Sequence, residues 1–152
     1  AIYTFRFRSV PYPMLQVFDA PNADVSCVRR SRSNTPLQAL TTLNEPLFME
    51  ASRALARQMI AADEMDDTQR LAYGFRRCVA RVPTDTESLV LLKLLQDQQA
   101  RFSQGGMEPL ALATEDPEHP GELPPGVSAS DLAAWTAVAR VMLNLDETIT
   151  KE

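Results

Sequence analysis

Four residues, Thr35-Pro36-Leu37-Gln38, constrain the fold of this chain more than any other stretch. Thr35 is suited to cap a helix, Pro36 fits the first helical position where its missing N–H is no loss, and Gln38 completes a capping box. Leu37, Leu40, Leu43, Leu47, Ala51, Leu55 and Met59 follow at three- and four-residue steps, the spacing of one helical face. Pro46 interrupts that run. Its ring clashes with the carbonyl of Thr42, so the pattern predicts a kink or a fresh start with Asn44 as the new cap.

Further helices announce themselves downstream. Leu71, Phe75, Cys78, Val79 and Val82 share one side of a helix over about 67–81, which Pro83 ends. Thr84-Asp85-Thr86-Glu87 is a second capping box, opening a helix to about 102. Its apolar residues, Leu89, Val90, Leu91, Leu92, Leu94 and Leu95, nearly encircle it and predict a central position. Residues 103–127 hold five prolines and four glycines, the composition of a loop, with one short helical turn expected at Pro109–Thr114. Ser130 is expected to cap a last helix to about Thr150, with Leu132, Trp135, Ala139, Met142, Leu145 and Ile149 along one face. Trp135 lies in register with that stripe and reads as a core anchor.

Residues 1–34 are of another kind. Tyr3, Phe5 and Phe7 alternate with Thr4, Arg6 and Arg8, which suits either a short strand or a helix tail. Pro11, Pro13 and Pro21 keep the following chain extended. The expected architecture is all-α: an irregular bundle of five or six helices over 35–152, with an extended arm over 1–34 packed on it as part of a single domain. The start at Ala1-Ile2-Tyr3, with neither Met nor a leader, leads us to expect a fragment of a longer polypeptide.

Charge and cysteine spacing exclude several classes of function. The net charge of −5 divides into +3 over residues 1–62 and −8 over 63–152. A nucleic-acid face needs a concentrated basic surface, and Arg29, Arg30 and Arg32 are too few to supply one. No run of 18 apolar residues could span a membrane. Cys27 and Cys78 lack metal-ligand spacing, which leaves zinc and covalent haem unsupported and two readings open, buried free thiols or one disulfide. The chain carries no Gly-x-Ser-x-Gly, phosphate loop or His-Glu-x-x-His. Its one histidine, His119, stands in the 103–127 loop and reads as exposed, without catalytic partners.

Several strings resemble a known family. These are Phe18-Asp19-Ala20-Pro21, then Val28 through Leu40 with its Ser33-Asn34-Thr35-Pro36-Leu37-Gln38-Ala39-Leu40 core, and Leu43-Asn44-Glu45-Pro46. Together they resemble the planctomycete-specific domain called domain of unknown function 1553. Ala133 to Ala139 and Leu143 to Glu147 look like that family's final helix. The resemblance implies a C-terminal module of a large exported, extracytoplasmic protein. Many such proteins carry a cytochrome-c-like domain upstream, so haem would belong there and no cofactor to this chain. The resemblance brings no activity with it.

One polar cluster is the best candidate site. Arg29, Arg30 and Arg32 precede a helix N-terminus, and guanidinium forks there suit a carboxylate, a sulfate or an acidic glycan. Alternatively they pair with Asp19, Asp24 or Glu45 and clamp the arm, while Asn34, Gln38 and Asn44 serve as caps and turn-formers. Asp19, Asn22 and Asp24 do not have the spacing of a calcium loop. Asp146 and Glu147 at a helix C-terminal end call for a partner, such as an arginine of the first segment. They are adjacent and point to different sides, which argues against a paired-carboxylate hydrolase site. The sequence thus predicts a non-catalytic interaction module whose partners are upstream domains of its own polypeptide. The alternative is part of a glycan-processing or redox-associated unit whose site is shared with those domains.

Overall fold

A computed structural model describes residue 7 and residues 10–21, 26–29, 33–62, 65–105 and 108–150. Among these the chain is all-α. Eight helices follow in order: α1 Pro13–Val17, α2 Pro36–Asn44, α3 Pro46–Ile60, α4 Asp67–Val79, α5 Asp85–Ser103, α6 Pro109–Ala113, α7 Ala129–Leu143 and α8 Asp146–Ile149. The five longest form the bundle, and three short ones decorate it. The arm is not extended throughout, because α1 folds within it and packs on α2. Tyr3 and Phe5 lie outside the described residues, and Phe7 is exposed.

Local chemistry sets most boundaries. Thr35 and Gln38 form the reciprocal capping box: Gln38 N–H donates to Thr35 Oγ1 at 3.3 Å, and Thr35 N–H to Gln38 Oε1 at 3.1 Å. At Pro46 the outcome is a clean break. The residue before a proline avoids the helical region, so Glu45 is extended (φ −68°, ψ 131°) and takes the cap position of α3. Asn44 is therefore no cap; it closes α2, with its Nδ2 donating to Leu40 O at 2.8 Å. Asp66 and Gln69 make a further capping box for α4, which ends two residues early at the left-handed Ala80 (φ 62°). Helix α5 starts from the Thr84–Glu87 box as its sequence indicates.

The cap of α7 lies two residues before the expected one. Ser128, two residues ahead of Ser130, accepts from Asp131 N–H at 3.0 Å and donates its hydroxyl to Asp131 Oδ2 at 2.6 Å. Only Ser128 has an acid three residues on, which is why it wins the cap. The helix also stops early, at Leu143, and the extended Leu145 begins α8. Asp146 and Glu147 thus open a helix rather than close one, where a carboxylate is favoured.

The centre of the bundle is α7, and α5, expected there from its encircling apolar residues, lies at the flank instead. Eight residues of α7 are buried: Leu132, Ala133, Ala134, Trp135, Thr136, Val138, Ala139 and Met142. It packs chiefly on α3, α5 and α6, with α4, α2 and α8 at its edges. In α5 only Leu91, Leu95 and Phe102 are buried, while Leu89 and Val90 are 68% and 62% exposed. Helices α3 and α7 both crowd α4 at Gly74, where an added Cβ would lie 2.1 Å from Met59 Sδ and 3.3 Å from Met142 Sδ. Burying each large apolar side chain there contributes about 1.5–3 kcal/mol.

Candidate functional site

Of the polar residues singled out between 19 and 44, Gln38 ties the arm to α2, Asp19 bonds within the arm, and Asn34 reaches α8. Gln38 is fully buried, and its Nε2 donates to Val17 O at 2.9 Å and Ser33 Oγ at 3.1 Å. Asp19 sits in a left-handed turn (φ 56°) and accepts from Ser33 N–H at 2.8 Å and Ser33 Oγ at 2.7 Å. Tyr12 O–H donates to Glu45 Oε1 at 2.9 Å, and that bond with the glutamate charge raises the phenol's pKa. Asn34 donates to Asp146 Oδ1, and Thr42 Oγ1 to Asn144 Oδ1, tying this region to the end of α7 and to α8.

Among the described residues the clamp is built from amide, hydroxyl and carboxylate groups, without an arginine. Arg29 is exposed and makes no ion pair there. Arg30, Arg32, Asn22 and Asp24 lie outside the described residues. No cluster of three or more His, Cys, Asp or Glu side chains able to hold a metal occurs among those described. Both cysteines are free: Cys78 is buried, and burial pushes its thiol pKa up, while Cys27 is exposed. Both thiols are thus free, but only Cys78 is buried; no disulfide joins them, because one sulfur lies in the core and the other in solvent. His119 is exposed but does have a partner, since Nδ1 lies 3.1 Å from Asp116 Oδ2. That contact, with the N–H groups of Glu118 and His119, holds the Asp116 carboxyl below its ordinary pKa.

Glu147 finds an arginine, though from another part of the chain. Arg81, just past the left-handed Ala80, meets Glu87 with Nη2–Oε1 at 2.7 Å and Nη1–Oε2 at 2.9 Å. Its Nε reaches the Glu147 oxygens at 3.1 and 3.2 Å, and its guanidinium lies 4.9 Å from the Phe75 ring centroid. The arginine joins α4, α5 and α8. Its charge, with the Thr84 cap bonds, drops the Glu87 pKa from 4.5 to about 2. Every donor in this junction is committed, so it reads as architecture.

The other half-buried arginines are committed too, as is the exposed Arg57. Arg53 Nε donates to Leu112 O at 3.0 Å, and Arg140 Nε to Leu43 O at 2.8 Å. Arg57 Nη1 reaches Glu122 O at 3.4 Å. Arg70 is the exception. Its Nε is buried without a hydrogen-bond partner, and no carboxylate among the described residues lies within ion-pairing distance of its head. An orphaned buried donor costs about 1–3 kcal/mol.

Arg70 borders a cleft of about 230 Å³, lined also by Ile60, Asp67, Gln99, Gly126, Val127, Asp131 and Trp135. Asp67 and Arg70 stand one turn apart on α4, and Asp131 and Trp135 one turn apart on α7. Gly126, at φ 75°, turns the incoming loop against the opening. Sequence reasoning missed this site, because its walls come from α3, α4, α5, α7 and a loop. The only local signal was an acid and an arginine three apart on one helical face.

A family model described as PSD1, Protein of unknown function (DUF1553), matches residues 1–95. The chain belongs to this family. The match covers the arm, α1 to α4 and the first half of α5 of this DUF1553 chain, including the Val28–Leu40 string that carries the resemblance. The resemblance of Ala133–Ala139 and Leu143–Glu147 falls beyond the matched residues. No curated protein and no solved structure matches the chain.

Proposed function

We propose that this DUF1553 chain is an interaction module that docks against a neighbouring domain of its own polypeptide. One observation carries the reading: Leu37 and Leu40, on one face of α2, are each 56% exposed, and Leu47 at the start of α3 is 55% exposed. Apolar residues set at helical spacing and left in water mark a contact surface more often than chance. The same helix is fixed from behind by buried Gln38, so the face is presented in a held orientation. Membership of the family supports the neighbour being a domain of the same chain, and an extracytoplasmic setting, as its resemblance to exported multidomain proteins implies.

Thiol labelling tests this directly. In a Cys27→Ser background, Leu40→Cys should react freely with a maleimide in the 152-residue chain and slowly in the longer polypeptide. Leu37→Glu should restore fast labelling in the longer form. Equal labelling rates in the two lengths would sink the proposal.

A further inference from the structure

We propose that the cleft around Arg70 binds a small zwitterion, a molecule of roughly amino-acid size bearing one carboxylate and one ammonium. Four observations converge on that chemistry, all independent of the α2 docking face. The first is the contrast among arginines. Among the half-buried arginines described, Arg53, Arg81 and Arg140 each tie one part of the fold to another, whereas Arg70 ties nothing. Its Nε is enclosed, which leaves the two Nη groups to grip a carboxylate through parallel bonds.

Secondly, the lining carries two acids, Asp67 and Asp131, beside that single positive charge. A doubly charged anion such as phosphate would meet their repulsion. A ligand with its own ammonium turns the repulsion into attraction, one carboxylate facing Arg70 and the ammonium facing Asp67 or Asp131. Asp131 is already steadied by the Ser128 hydroxyl at 2.6 Å, so its position is set before a ligand arrives. Thirdly, the largely buried Trp135 contributes to the wall, so an occupant would lie against an aromatic side chain. Finally, a volume of about 230 Å³ lies below the range of roughly 300–1,000 Å³ typical of drug-sized sites, which limits the occupant to a few heavy atoms beyond its two charges.

Trp135 is the only tryptophan of the chain, so its fluorescence reports on this cleft alone. The chain should be titrated with a series of unbranched amino acids from glycine to 6-aminohexanoate, and with acetate and methylammonium as half-ligands. Amide shifts of residues 60, 67, 70 and 126–131 should be followed in parallel by NMR. The expected result is a saturable response to at least one amino acid, with either half-ligand weaker by about tenfold or more, the loss of one charge-assisted hydrogen bond. Arg70→Gln should abolish that response while Arg70→Lys keeps part of it, and Asp67→Asn or Asp131→Asn should weaken the amino acid more than acetate. Circular dichroism melts confirm that each variant is folded, and the aspartate variants decide the matter should Arg70→Gln unfold. The proposal is overturned if neither fluorescence nor amide shifts saturate with any amino acid, if acetate binds as tightly as the best of them, or if the variants respond like the wild type.

Discussion

Helices α5 and α7 differ in how much of their apolar surface they bury. Six of the seven residues from Leu89 to Leu95 are apolar, yet α5 leaves Leu89 and Val90 in water and turns Leu91, Leu95 and Phe102 inward. In α7 the inward set includes Ala133, Ala134, Ala139 and Thr136, residues of modest size. Small side chains let neighbouring helices come close on several sides at once, and close packing then follows from the neighbours. Large ones all round a helix hold partners off, and whichever side lacks a partner stays wet. Burial in this bundle is a property of the contact set, with α3, α5 and α6 all meeting on α7.

That contrast can be broken at its strong end first. Leu132→Ala on α7 should cost about 2–5 kcal/mol in chemical unfolding, because three packed helices cannot all relax into the void. A loss below about 1 kcal/mol would show that α7 is not central. An intermediate effect is expected from acid at the start of α5. Glu87 has a folded pKa of about 2 against an ordinary 4.5, so its contribution is complete above pH 4.5 and fades as pH falls through about 2. Melting temperature should fall over that window in the wild type and over a smaller span in Arg81→Gln; parallel curves would remove Arg81 as the cause. The weakest effect belongs to the wet face. Leu89→Ser should change stability by no more than about 0.5 kcal/mol, and a larger loss would mean that α5 is covered there.

What could be read in the chain beforehand was what nearest neighbours decide. Thr35–Gln38 and Thr84–Glu87 were legible because a capping box closes within four residues, and the loop over 103–127 because proline and glycine act on their own backbone. Asp66–Gln69 carries the same kind of signal, and an Asp-x-x-Gln reading would have found it. The errors arose where the choice was between near-equals or rested on distant groups. Ser128 and Ser130 are both sound caps until Asp131 is weighed. The partner of Glu147 was sought in the arm, yet Arg81 reaches it only because Ala80 turns left-handed. The Arg70 cleft was invisible for the same reason: no local pattern encodes an arginine that finds no bond.

Arg140 has a consequence of another kind. Breaking the chain at Glu45 leaves the carbonyl of Leu43 without a helical donor, and the guanidinium of Arg140 supplies one from nearly a hundred residues away. Helix α2 is thus closed by a side chain that is synthesised much later, and Asn144 accepts from Thr42 in the same neighbourhood. During translation the first ninety-five residues would emerge with α2 still open at its end and Leu55 and Met59 facing water. The segment that defines kinship, residues 1–95, thus leaves out both the group that closes α2 and the helix on which α3 packs most.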